Sequence, residues 1–152
     1  MIVKVQAEDF DAAAEIRTLI GGRTDVGAVV TFTGLMRGGE GATLTLEHYA
    51  GMSEKELTTI AEEAAHRWPL TDLLIIHRHG TLNPGDQIVL VATLAAHRGD
   101  AFAAAEFLMD WLKTRAPFWK KEEAGGKTPG EAKWVEARAD DEKAAERWEE
   151  KE

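Results

Sequence analysis

Cysteine is absent from this 152-residue chain. That excludes a disulfide framework, a thiolate metal site and a cysteine nucleophile. It also fits a reducing compartment, so the expected localisation is cytoplasmic. No apolar run approaches the ~20 residues that span a bilayer, and no membrane association is expected. The first residues, Met1-Ile2-Val3-Lys4-Val5, lack the basic, apolar and cleavage regions of a secretory signal. Positive charge is scarce: 18 Lys and Arg stand against 27 Asp and Glu, a formal net charge of −9. A broad basic face for phosphate backbones is therefore missing, which argues against a nucleic-acid partner. Glycine-rich phosphate loops, a Ser-His-Asp arrangement and zinc-protease motifs are likewise missing. No internal repeat, low-complexity tract or interdomain linker breaks the chain. Residues 1–152 are expected to form a single domain, which can bury roughly 70% of its unfolded surface.

Against this acidic background one segment stands out. Leu112–Lys121 carries Lys113, Arg115, Lys120 and Lys121 and no carboxylate, with Phe118 and Trp119 between them. Positive charge concentrated beside aromatic rings in an acidic protein points to a small anionic ligand.

The patterning predicts an α+β domain with a mixed or mostly antiparallel sheet and packed helices, in the order βαββαββαββα. Ile2–Gln6 alternates as a strand, and Asp9–Ile20 reads as a helix closed by Gly21-Gly22. Val26–Leu35, rich in β-branched residues, reads as a buried strand, and Thr43–Tyr49 as another. Ser53 with Glu56 has the spacing of a capping box opening a helix that Pro69 ends near Trp68. Asp72–His79 and Gln87–His97 pair around the turn Asn83-Pro84-Gly85-Asp86. Ala101–Arg115 is a helix with the stripe Phe102, Ala105, Leu108, Met109 and Leu112, stopped by Pro117. Phe118–Glu123 and Lys133–Arg138 are strands separated by the Ala124–Glu131 loop. Asp140–Glu152 is a charged terminal helix.

Lys113 and Lys120 flank a proline turn that can aim both ammonium groups into one pocket, where they supply charge, donors and proton transfer. Solvated lysines are the ordinary alternative. His97 and Arg98 close a strand just before a helix start, a place suited to an oxyanion or to a capped turn. Arg37 follows Thr31-Phe32-Thr33-Gly34 at a strand end. Trp119 is placed beside the pocket, against a flat heterocycle. His77 and His79 share a strand face and with His48 or His97 could hold a metal. No carboxylate completes a ligand spacing, so these histidines read as structural, and no metal or cofactor is expected.

Several segments together carry a family resemblance. They are Gly27–Gly34 with Arg37, Leu44-Thr45-Leu46-Glu47-His48-Tyr49, Arg67-Trp68-Pro69-Leu70, Ile76-His77-Arg78, Pro84-Gly85-Asp86, Ala96-His97-Arg98, Met109–Lys121, Trp134–Arg138 and Arg147-Trp148. In this order they resemble the large, catalytic subunit of molybdopterin synthase, from about residue 25 to 148. The resemblance implies an α/β-hammerhead-type fold and conversion of cyclic pyranopterin monophosphate into the dithiolene molybdopterin. It implies sulfur delivered as a thiocarboxylate on the C-terminal Gly-Gly of a small ubiquitin-like subunit, and a homodimer within a heterotetramer. By correspondence it implies Lys113 and Lys120 as catalytic residues, and Arg37, His97, Arg98 and Arg138 as contacts for the substrate. It implies that a site borrows residues across the dimer, which would let Arg37 serve the neighbouring chain. The stretch after Arg37 is short and the Ala124–Glu131 loop long compared with the family pattern. Three rival readings differ in chemistry: a module that only binds a partner's carboxylate tail, a hydrolase with a metal on His48, His77, His79 and His97, and an inactive structural dimer.

Overall fold

Two apolar runs, Leu73-Leu74-Ile75-Ile76 and Val89–Ala95, set the architecture. Both sit in strands with apolar residues on each face, the mark of a strand covered from both sides. In the computed structural model, which describes residues 1–124 and 133–149, they form β4 (Leu70–Arg78) and β6 (Gln87–Ala95), the two central strands of a four-stranded sheet. The edges of that sheet are β1 (Ile2–Gln6), parallel to β4, and β2 (Ala28–Leu35), antiparallel to β6. Helix α1 (Ala12–Ile20) covers one face, where Phe10 and Leu19 meet Leu74, Ile76, Leu90, Ala92 and Leu94. Helices α2 (Met52–Arg67) and α3 (Arg98–Thr114) cover the other, packing Leu57, Ala61, Phe107 and Leu108 on Leu73, Ile75 and Val91.

A second, antiparallel sheet runs β5-β3-β7-β8, formed by Gly80–Leu82, Thr43–His48, Phe118–Glu123 and Lys133–Val135 respectively. Its small core is Met36, Leu44, Leu46 and Leu82, and Ile88 packs against both this core and the larger one. Helix α4 (Ala139–Glu146) lies against α3. The α+β class expected from the sequence is what forms, with the strands divided between two sheets.

Several local expectations are corrected. An additional three-residue strand, β5, stands between β4 and β6 in the chain. Strand β2 is not buried: it is an edge, with Val29, Phe32 and Leu35 exposed by 37%, 39% and 56%. Helix α2 opens two residues earlier than the Ser53–Glu56 reading. Its N-cap is Gly51, at φ +83°, whose N–H donates to the Glu54 carboxylate at 2.6 Å, while Ser53 is buried with its hydroxyl toward the Pro117 carbonyl. Helix α1 begins at Ala12, where the Asp11 side chain accepts from the Ala14 N–H. The buried face of α3 is Ala101, Ala104, Ala105, Phe107, Leu108 and Leu112, and Phe102 is 62% exposed. Small alanines let the helix sit close on the sheet, so the stripe turns away from the larger ring. Strand β8 ends at Val135, short of Arg138. Apart from Ala124, the expected 124–131 loop lies outside the described residues, as does the end of the terminal helix beyond 149.

Candidate active site

Lys113 stands in the last turn of α3, where a cation is favoured by the helix C-terminus. The chain turns through Ala116 and Pro117, with the Phe118 N–H donating to the Ala116 carbonyl at 2.8 Å, and enters β7 alongside β3. Along a strand alternate residues share a face. Phe118, Lys120 and Glu122 therefore face the helix end together with Lys113, and the two lysines line one cavity of about 590 Å³. Trp119 points the other way, correcting the reading that put it beside the pocket: it is 45% exposed and meets Tyr49 edge-on at 4.6 Å.

Two further cations join the pair. Arg37 lies just beyond β2, whose exit is clamped by the Asn83–Asp86 turn. The Met36 N–H donates to the Asp86 carbonyl at 2.8 Å and the Gly85 N–H to the Met36 carbonyl at 2.7 Å, with Gly85 at φ +92°. Arg138 is the residue that precedes α4. Both line the same cavity as Lys113 and Lys120, within one chain.

His97 and Arg98 do not. They sit at the opposite end of α3, His97 as its N-cap without a capping side-chain bond. Fifteen residues at ~1.5 Å rise put Arg98 about 22 Å along the helix from Lys113. Of the six residues that sequence and resemblance single out, four converge in this chain and these two do not.

The neighbouring charge and burial bear on Lys120. Lys120 has its pKa lowered, first by burial and next by the Lys113 charge, while Asp141 and Glu122 pull the other way. It therefore gives up a proton more readily than an ordinary lysine, and Asp141 and Glu122 line the same cavity. Neither carboxylate was singled out in the sequence, where acidic residues are too common to stand out.

A histidine also borders the cavity. His77, read as structural, is buried at 4% exposure yet borders the cavity. Its ring stacks on Phe118 at 3.8 Å and 12°, and its Nδ1 lies 2.8 Å from the Arg78 carbonyl. Burial pushes its pKa down to about 4, and the charges of Lys120 and Lys113 push the same way. The signal that could have found it is the strand phase of His77, which follows Leu73 and Ile75 onto the helix-covered face. His48 and His79 pack ring on ring at 4.2 Å, and the Nδ1 of His48 is buried without a hydrogen-bond partner among the described residues. No group of three or more His, Cys, Asp or Glu there has the geometry to hold a metal ion. No helix there is long and apolar enough to cross a membrane.

Frame and cavity together define an α+β protein with a cavity lined by Arg37, Lys113, Lys120 and Arg138. The family model described as MoaE protein matches residues 5–115. A curated relative from Mesorhizobium japonicum, named molybdopterin synthase catalytic subunit, is 58% identical over 149 residues, covering 96% of this chain and 92% of its own. A protein of the same name from Cereibacter sphaeroides is 56% identical over 150 residues, covering 97% and 100%. The solved structure of molybdopterin cofactor biosynthesis protein E from Burkholderia multivorans superimposes with a TM-score of 0.81 at 53% identity, covering 97% of this chain and 96% of that one. This chain belongs to the MoaE family.

Proposed function

We propose that this protein is the catalytic subunit of a molybdopterin synthase, a sulfurtransferase that converts cyclic pyranopterin monophosphate into the dithiolene molybdopterin. The observation that carries the reading is the gathering of Lys113, Lys120, Arg37 and Arg138 around one cavity in a chain of net charge −9. The family membership and the relatives' shared name support it.

Sulfur comes from outside, because a chain without cysteine cannot carry a persulfide. The donor in this reading is a small ubiquitin-like subunit whose C-terminal Gly-Gly ends in a thiocarboxylate. Substrate phosphate and thiocarboxylate are both anions and repel one another within one cavity. A cation about 4 Å away contributes roughly 4 kcal/mol at an effective dielectric near 20, so several are needed to bring the two together. Arg37 and Arg138 bind the phosphate and pterin. One lysine stays protonated and stabilises the charge developing on the thiocarboxylate, and the other moves protons at the pterin carbons. The lowered pKa of Lys120 supports its role as the proton carrier.

The working assembly is a homodimer of this chain with one small subunit at each end, acting in the cytoplasm. The exposed Val29, Phe32 and Leu35 on the β2 edge support a second copy docking there. His97 and Arg98 lie beside the start of that strand, since the Gly27 N–H bonds the Ala95 carbonyl. They are the residues that reach a neighbouring cavity in this arrangement, while Arg37 serves its own. The test is to mix the protein with a thiocarboxylated Gly-Gly partner and the pyranopterin, then assay the dithiolene product in a single turnover. Product supports the reading; a complex that forms and yields none reduces the protein to a tail-binding module.

A further inference from the structure

Most of the polar side chains that line the cavity are charged. Lys113, Lys120, Arg37 and Arg138 can only donate hydrogen bonds, and the charges of Glu122 and Asp141 act on Lys120. His77 borders the same cavity as a buried, ring-nitrogen group. A backbone carbonyl can only accept, so the 2.8 Å contact with the Arg78 carbonyl places a hydrogen on Nδ1. With that nitrogen protonated, a neutral ring carries its lone pair on Nε2. Among the described residues Nε2 has no protein partner, and the residue borders the cavity.

Its direction is fixed twice. The Nδ1 bond sets the rotation of the ring, and the parallel stack on Phe118 sets its plane. Phe118 is itself anchored by β7 pairing opposite His48 and by the Ala116 carbonyl. Titratable groups bear on the ring from three elements: Lys113 on α3, Lys120 on β7 and His48 on β3. All three disfavour a second proton on it, and so keep the acceptor open.

We propose that His77 is a further substrate-binding and specificity residue, whose Nε2 accepts a hydrogen bond from a ring or amino N–H of the planar nitrogen heterocycle that enters the cavity. Cations grip the anionic end of such a molecule without distinguishing one phosphate ester from another. A neutral, pre-aimed acceptor selects a ligand that carries an N–H donor. The inference rests on the pterin substrate proposed above.

Three substitutions separate the acceptor from the packing. His77→Asn keeps an amide N–H at the position of Nδ1, able to hold the Arg78 carbonyl, and loses Nε2. His77→Gln extends an amide oxygen toward the position of Nε2. His77→Phe keeps the stack and loses both nitrogens. Affinity for the pyranopterin and for inorganic phosphate is measured by calorimetry on the full chain at pH 7. His77→Asn and His77→Phe are expected to bind the pyranopterin about 10-fold more weakly, the loss of one neutral hydrogen bond, with phosphate affinity within about two-fold of wild type. His77→Gln is expected to recover most of the difference. Equal pyranopterin affinity in His77→Asn and wild type overturns the proposal, as does an equal loss in Asn and Gln or a parallel loss of phosphate. Should the variants fail to fold, the ¹⁵N shift of Nε2 in the wild type decides. A move toward the hydrogen-bonded value when pyranopterin is added supports the role, and an unmoved signal refutes it. A wild type that binds no pyranopterin defeats the proposed function itself, which is a different result from one that binds but is indifferent to residue 77.

Discussion

Asp110 joins α3 to the last described helix, and removing it should loosen one wall of the cavity without unfolding the protein. Its Oδ2 accepts from the Trp148 indole N–H at 2.7 Å and from Arg147 at 2.6 Å. Trp148 in turn packs edge-on against Trp68 and Phe107, both at 5.6 Å, and its carbonyl accepts from Arg67 at 3.0 Å. The Asp110 side chain is 16% exposed and that of Arg147 44%, so the two bonds differ in weight. The half-exposed arginine pair is worth at most ~0.5 kcal/mol and also has Glu106 to fall back on at 2.8 Å. A charge-assisted bond from a part-buried indole is worth ~1.5–3 kcal/mol. Asp110→Ala should then cost about 2 kcal/mol. The cost should fall on docking of α4, because Asp110 holds the segment just after that helix, which carries the cavity residue Asp141 and is preceded by Arg138. At about 1.4 kcal/mol per decade this is roughly a 30-fold rise in local opening. Hydrogen exchange of the 139–146 amides should speed up by that factor while β4 and β6 keep their protection. Asp110→Asn retains an acceptor oxygen for the indole and should cost less than half as much. If α4 protection is unchanged in Asp110→Ala, or if β4 and β6 open with it, the latch reasoning is wrong.

Replacing Lys113 or Lys120 by alanine should abolish molybdopterin formation while leaving affinity for the small subunit unchanged; full single-turnover activity in both variants ends the proposed mechanism. Lys113→Met removes a charge that depresses Lys120, so the Lys120 titration followed by the ¹³C signal of its Cε should move to higher pH. His77 has a folded pKa of about 4 against 6.5 in the unfolded chain, so the unfolded state binds more protons between those values. Stability attributable to it is full above pH 6.5 and is lost as pH falls toward 4, by up to about 3 kcal/mol. Urea unfolding of His77→Phe should accordingly show a shallower loss of stability from pH 7 to 4.5 than wild type. A Cβ on Gly27 would stand 2.1 Å from the Ala96 carbonyl oxygen, so Gly27→Ala should lower the melting temperature by several degrees or prevent folding, because backbone on both sides must move.

The elements easiest to see in the sequence were those that obey a local rule. Ile2–Gln6, the end of α2 at Pro69, the turn at Pro84-Gly85 and the Lys113–Pro117–Lys120 hinge all rest on periodicity or on glycine and proline chemistry. The readings that failed depend on what lies across the fold. Val29, Phe32 and Leu35 have the composition of a core strand, and only the order of strands in the sheet makes them an edge. Phe102 and the alanines of α3 offer two competing stripes, settled by how closely the helix rests on β6. Three-residue β5 has too little pattern to be noticed and exists because Leu44, Thr45 and Leu46 pair with it.

The chain alone determined the family, the absence of any thiol chemistry and the lysine pair around a proline, because those are matters of residue identity and short spacing. Tertiary structure decided which cations share a cavity. It brought Arg37 and Arg138, far apart in the chain, to the same cavity, left His97 and Arg98 at the far end of a 17-residue helix, and set the buried His77 at the cavity edge. Side-chain direction depends on strand phase and on which neighbours exclude water, and both are set by contacts between residues distant in the chain.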